Sequence, residues 1–232
     1  MRPFRRGKYP GKICIPIVET TTVKALRAVG EANRLADLIE LRVDYLKTPN
    51  LQLFLNKAEK PLIVTNRRRE EGGRYGGNEK KRLTILGEAA DLGAGFVDVE
   101  LKSERSLLRE LINRKKGTRI ILSCHDFERT PSPRELKGLF GRMVGWGVDV
   151  VKIVTFARTL EDNLKILSLI PYAQEKKQKI LAFCMGEKGK MSRIFAPLMG
   201  SEWTYSSLNR DKTSAPGQLT VRELREVWEK LR

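Results

Sequence analysis

Val148-Asp149-Val150-Val151-Lys152-Ile153-Val154-Thr155 is a run of β-branched residues with a lysine set in its middle. Val and Ile are stiff at χ1 and favour strands. A run that is apolar at consecutive positions belongs to a strand covered on both faces, which is the habit of parallel sheets. Runs of the same texture occur at residues 12–18, 38–43, 61–65, 96–101, 119–123, 180–185 and 203–208. Between them lie longer segments with apolar residues at helical spacing, such as Leu107, Leu108, Leu111 and Ile112. Ser132 with Pro133 and Glu135, Thr159 with Asp162, and Thr220 with Glu223 mark three helix starts by their capping pattern. These strand-then-helix units follow one another without a linker. Eight of them in 232 residues predict an α/β fold, a single-domain (β/α)8 TIM barrel over residues 12–232, in preference to an open doubly wound sheet. Residues 1–11 read as a basic N-terminal extension.

Composition excludes several classes. A chain that is 41% hydrophobic and 31% charged has enough apolar residues for a large core and is not disordered. No apolar run is long enough to span a bilayer. Pro16 within the first apolar run, and the lack of a small-residue cleavage site, argue against a signal peptide. A cytoplasmic protein with no membrane partner is expected. Cys14, Cys124 and Cys184 lie far apart in apolar runs, which favours reduced thiols over disulfides or a zinc site. The net charge of +17 permits nucleic-acid binding. However, the cations are spread over nearly every helix and interleaved with Glu, as in Arg222-Glu223-Leu224-Arg225-Glu226. No aromatic–basic interleaving suggests stacked bases, so no nucleic-acid partner is expected. Neither a dinucleotide-binding glycine fingerprint nor a phosphate-binding Gly-Lys-Ser/Thr loop is present.

Catalytic groups in such barrels come from the C-terminal ends of strands. The second run carries Glu40, Arg42 and Asp44 at alternate positions, hence on one face. The third ends in Thr65-Asn66-Arg67 and enters a glycine-rich loop, Glu71-Gly72-Gly73. The fifth ends in Ser123-Cys124-His125-Asp126. Lys152 has two readings. It is a buried ion pair with Glu40, Asp98 or Glu100, or it is a nucleophilic amine whose pKa is lowered by desolvation and by Arg42, Arg67 or Arg193. His125 is the only histidine, so imidazole chemistry near neutral pH falls to it alone. Cys124 points away from it on a strand, which argues against a Cys–His hydrolase. One histidine among scattered carboxylates offers no metal ligand set. Loops 185–193 and 213–218 carry Arg193, Ser214 and Gln218, the second loop in the manner of a closing lid.

Together these segments resemble the type I 3-dehydroquinate dehydratases of the shikimate pathway. The resemblance rests on Glu40-Leu41-Arg42-Val43-Asp44, Arg67 with Glu71-Gly72-Gly73, and Ser123-Cys124-His125-Asp126-Phe127 with Thr130-Pro131. It continues through Lys152-Ile153, Met185-Gly186 with Ser192-Arg193, and Ser214-Ala215-Pro216-Gly217-Gln218, all in the family's order. Asn66 departs from it, standing where an aromatic is common. The resemblance implies that Lys152 forms an imine with the ketone of 3-dehydroquinate and that His125 is the proton shuttle. It further implies that Arg193 holds the substrate carboxylate and that Glu40, Arg42 and Arg67 hold ring hydroxyls, with Ser214 and Gln218 closing from the lid. Glu71 is the candidate for orienting His125, with Asp98, Glu100 and Asp126 as rivals. No cofactor and no metal are implied, and a homodimer is expected. The rivals are a class I aldolase, which would need a phosphate site after the last two strands, and a non-catalytic basic barrel that binds RNA.

Overall fold

The apolar runs condense into eight strands that alternate with helices. In chain order these are β1 (Ile13–Ile17), α1 (Thr22–Leu35), β2 (Leu38–Arg42), α2 (Leu51–Lys57), β3 (Leu62–Thr65), α3 (Glu79–Asp91), β4 (Phe96–Glu100) and α4 (Arg105–Arg114). They continue as β5 (Arg119–His125), α5 (Pro133–Val144), β6 (Val150–Phe156), α6 (Glu161–Leu167), α7 (Leu169–Glu175), β7 (Lys179–Met185), α8 (Lys190–Phe195), β8 (Thr204–Tyr205) and α9 (Val221–Lys230). The computed structural model describes residues 11–114 and 116–231. The predicted extension, residues 1–11, lies outside the described residues except for Gly11.

Every strand pairing is parallel, in the order β7-β6-β5-β4-β3-β2-β1-β8. The seam between β7 and β8 is bridged just before β8. There the Glu202 N–H and the Ser201 hydroxyl donate to the Ile180 carbonyl at 3.0 and 3.2 Å. The product is a nearly closed (β/α)8 barrel in one domain, as the sequence predicts.

Side chains alternate along each strand between two cores. Ile39, Leu41, Val97, Val99, Leu122, Val151 and Ile153 pack outward among the helices. Leu38, Ile63, Phe96, Ile121, Val150 and Leu181 pack together inside the barrel. The inward positions then change character along the strand. Leu38 is followed by Glu40 and Arg42, Phe96 by Asp98 and Glu100, Ile121 by Ser123 and His125, and Val150 by Lys152. An apolar plug therefore fills the N-terminal end, and polar side chains gather at the C-terminal end.

Ser132 and Thr220 form the predicted reciprocal capping boxes at α5 and α9. The Thr159 cap does not form. α6 begins later, at Glu161, and Asp162 accepts from the N–H groups of Arg158 and Thr159 at 2.8 and 3.1 Å. The contact from the Thr159 N–H is the carboxylate half of the predicted box, while the Thr159 hydroxyl donates to the Glu161 carboxylate and leaves the other half unmade. Asp44 also leaves the predicted strand face, since residues Val43–Tyr45 form a 3-10 turn. The predicted strand at 203–208 is shorter, with a ladder only to β1 and an isolated bridge from Ser207 to Thr220.

α9 closes the barrel's outer layer through Trp228, which is fully buried and donates from its indole to the Ile194 carbonyl at 3.0 Å. Trp228→Ala is expected to destabilise the fold by about 3–5 kcal/mol through the cavity it opens. Urea unfolding measures this, and a loss below about 1 kcal/mol would show that the outer layer collapses around the gap. No helix among the described residues is long and apolar enough to cross a membrane.

Candidate active site

The polar inward residues surround one cleft at the C-terminal ends of the strands, with about 460 Å³ of empty space. Glu40, Arg42, Arg67, Glu71, His125, Lys152, Arg193 and Ser214 all line it. Gln218 does not. It lies behind Ser214, its Oε1 accepting from the Ser214 N–H at 2.8 Å and from the hydroxyl at 3.3 Å.

Lys152 is 5% exposed, and its Nζ donates to Asp98 Oδ2 at 2.8 Å, with Glu40 Oε1 at 3.9 Å. The Tyr205 ring lies 4.5 Å from the same nitrogen. The ion-pair reading of Lys152 is thus a fact of the structure, with Asp98 as the partner. Asp98 also accepts from Arg67 Nη2 and the Ser123 hydroxyl at 2.8 and 2.6 Å. Burial pushes the Asp98 carboxyl upward, yet the Arg67 and Lys152 charges outweigh it and hold it below the usual carboxylate range.

His125 ends β5 on the same inward face as Ser123. Its ring Nδ1 lies 2.9 Å from Glu71 Oε2, which also accepts from the His125 backbone N–H at 3.1 Å. Of the carboxylates named for orienting the ring, Glu71 is the one in hydrogen-bond contact with it. Glu71 reaches it from the 3-10 turn Arg69–Glu71, which Gly72 terminates at φ +77°. A Cβ on Gly72 would also run into the Phe127 ring, so the turn after β3 requires glycine there. Burial pushes the His125 imidazole well below its ordinary value, and the cationic Arg67 and Lys152 add to this. Burial pushes the Glu71 carboxyl up to about 7. The imidazole is therefore neutral at pH 7. With its Nδ1–H donated to Glu71, its Nε2 lone pair has no protein partner among the described residues.

The three guanidiniums in the cleft differ in how they are compensated. Arg42 is held by Asp44 at 2.8 and 2.7 Å. Arg67 is held by Asp98, Glu100 and Ser123. Arg193 has no carboxylate partner among the described residues, only a 3.5 Å contact to the Pro216 carbonyl and the Phe183 ring beneath it at 4.7 Å. It is 2% exposed, its Nε is unpartnered, and burial pushes it down to about 10. A buried cation without a counter-ion is costly, which leaves Arg193 with the capacity to take up an anion. The loop carrying Ser214 folds over it. Gly217, at φ +75°, lets this loop press on the Gly186 backbone where any Cβ would clash.

Sequence reasoning did not place Tyr205, Phe183 or Phe127 in the site, and it offered Asp98 as one of three partners for Lys152 without choosing among them. The available signal was strand parity. Asp98 follows Phe96 by two, and Tyr205 follows Trp203 by two, on the inward face. Among the described residues no cluster of three or more His, Cys, Asp or Glu is placed to hold a metal.

Fold and site together define a (β/α)8-barrel enzyme whose ionisable groups stand at the C-terminal mouth. The chain belongs to the type I 3-dehydroquinase family, whose profile matches residues 13–232. It is thereby a hydro-lyase of the 3-dehydroquinate dehydratase kind. A 3-dehydroquinate dehydratase of Methanocaldococcus jannaschii is 37% identical over 220 residues, 93% of this chain and 97% of that one. The crystal structure of 3-dehydroquinate dehydratase from Geobacillus kaustophilus superposes with a TM-score of 0.88 at 25% identity, covering 95% of this chain and 91% of that one. A type I 3-dehydroquinate dehydratase from Clostridium difficile, solved with covalently modified comenic acid, gives 0.85 at 28% identity, covering 97% and 93%.

Proposed function

We propose that the chain removes water from 3-dehydroquinate by syn elimination through an imine on Lys152, giving 3-dehydroshikimate. The observation that carries this reading is the grouping of three groups around one cleft: a buried amine, an imidazole with a free nitrogen, and a guanidinium lacking an anion.

The substrate carboxylate pairs with Arg193, whose planar fork suits it. The ketone carbon is thereby brought to Lys152. The amine gives up a proton to His125 and attacks C3, and His125 returns that proton to the adduct's hydroxyl, which leaves as water to yield a protonated imine. That imine is a cation where the ammonium stood, so Asp98 and Glu40 stabilise it as they did the amine. His125 Nε2 then takes a proton from C2, and the electron pair moves into the enamine and expels the C1 hydroxyl. The same imidazole, now protonated, returns its proton to that leaving oxygen. Addition of water across the imine releases the product and frees Lys152. Glu71 holds the ring and stabilises the imidazolium while it exists. Arg42, Arg67 and Glu40 would face the ring hydroxyls, with Ser214 above them and Gln218 fixing Ser214.

The covalent ligand in the Clostridium difficile relative supports covalent chemistry at a matching fold. The same reading has residues 12–232 as the catalytic domain and residues 1–11 as an extension without part in the reaction. It has the enzyme working in the cytoplasm as a homodimer on the route to chorismate and the aromatic amino acids. The free thiols of Cys14, Cys124 and Cys184 agree with a reducing compartment.

The direct test is turnover of 3-dehydroquinate, followed by the ultraviolet absorbance of the product's conjugated enone. Absence of turnover by the folded chain would reject the reading. Arg193→Met is expected to raise KM by roughly 30-fold or more, the usual effect of removing one partner of a desolvated ion pair. The same change removes an uncompensated buried cation and is expected to raise Tm. An unchanged KM would take Arg193 out of substrate binding.

A further inference from the structure

A file of alternating charges crosses the barrel wall behind the amine. From outside inward it runs Glu79, Arg82, Glu100, Arg67, Asp98, Lys152, each in ion-pair contact with the next. The inner four stand inside the barrel, but Arg82 does not line the cleft. It sits on α3 in the outer layer, fully buried, and all five of its N–H donors are used. Nε and Nη2 donate to the two Glu79 oxygens at 2.8 and 2.9 Å, Nη2 to the Ser103 hydroxyl at 2.7 Å and Nη1 to the Asn66 carbonyl at 2.9 Å. The remaining donor goes from Nη1 to Glu100 Oε2. The other Glu100 oxygen accepts from Arg67 Nη1 at 2.9 Å. Glu100 is thus divided between a guanidinium in the mouth and one outside the wall.

We propose that Arg82 is a positioning residue for the dehydration. It shares Glu100 with Arg67, keeps Arg67 free to hold Asp98, and so governs how firmly Asp98 holds the Lys152 amine. The inference rests on the imine reading. Without Arg82, the buried Glu100 carboxylate draws Arg67 to itself. Asp98 then loses a cation and grips Lys152 more strongly. The uncompensated negative charge also favours protonation of the Glu71–His125 pair, on which Glu100 already acts in that direction. Both effects leave less of the free enzyme with a releasable amine and a free imidazole. Removing Glu79 has the opposite sign, because Arg82 then presents its whole charge to Glu100. Arg68, Glu70 and Tyr75 also face Arg82 from the loop after β3. Arg42 faces His125, while Glu40, Cys14 and the Tyr205 ring face the amine from β2, β1 and β8. None of these groups is altered in the variants below.

The experiment is the pH profile of kcat/KM for the full chain carrying Arg82→Gln, Arg82→Lys or Glu79→Gln, with circular dichroism to verify folding. Arg82→Gln is expected to move the acidic limb up by about one pH unit, roughly a tenfold loss below the wild-type midpoint. Arg82→Lys keeps the charge and is expected to retain the wild-type midpoint despite losing the fork. Glu79→Gln is expected to move the limb down by a few tenths of a unit, about half the effect of a charge one position nearer. Opposite shifts are not produced by simple loosening of the fold. Unmoved limbs in the Gln variants would overturn the proposal, whatever the loss in rate. If Arg82→Gln does not fold, Glu79→Gln decides alone, since its partly exposed carboxylate leaves no buried anion behind. Borohydride trapping of the wild type separates the two levels. No adduct would reject the imine reading and this inference with it, whereas an adduct with unmoved limbs would reject only the role of Arg82.

Discussion

Lys152→Ala is expected to lower kcat by at least about 10⁴-fold while leaving the barrel folded, since the proposed reaction places its covalent step on this amine. The structure explains why these two effects separate. Losing a buried charge is often ruinous because its partner is stranded. Asp98, however, keeps Arg67 at 2.8 Å and the Ser123 hydroxyl at 2.6 Å, so its carboxylate stays compensated. The gap opens onto the cleft rather than into sealed core. The expected variant is therefore folded, binds substrate through the intact Arg193, and forms no adduct. Turnover together with a thermal melt checks it. Residual activity within tenfold of wild type would mean that the amine serves only as the counter-ion of Asp98.

His125→Ala is expected to slow turnover by about 10²–10⁴-fold, the usual worth of a positioned general base. It too should fold. The Glu71 carboxyl that loses the ring is pushed up to about 7, so near neutral pH it takes a proton instead of remaining a stranded anion. The two variants differ in a way that assigns their roles. With Lys152 present, the His125 variant should still condense slowly with substrate and accumulate a reducible adduct, whereas the Lys152 variant should not. Activity like wild type in His125→Ala would remove the imidazole from proton transfer.

Lys152 itself shows how far residues alone carry the reading. Its two sequence readings, a buried ion pair and a nucleophile, are not rivals in the structure. Asp98 holds the ammonium at 2.8 Å in a cleft that also holds the imidazole, and the same partner suits the cationic imine. Strand parity made Glu40 and Arg42 legible because a period of two fixes which side chains share a face, whereas Lys152 stood out as a lysine in an apolar strand and His125 as the only histidine. Parity does not fix distance around the barrel, so the choice of Asp98 over Glu40 and Glu100 required the register. The choice of Glu71 for the His125 ring required the turn that Gly72 permits. Local competition explains the misses at helix and strand ends. The Thr159 hydroxyl turned to the Glu161 carboxylate rather than capping α6, and β8 found a ladder only on the β1 side. Arg82 was invisible because a charged residue on a helix reads as solvated surface until its burial is known.

The central claim is covalent. Incubating the wild-type chain with 3-dehydroquinate and sodium borohydride, then digesting and weighing the peptides, tests it most directly. The expected result is a substrate-derived mass on the peptide carrying Lys152, dependent on substrate and absent from Lys152→Ala. Steady turnover with no reducible adduct, or an adduct confined to another lysine, would contradict it.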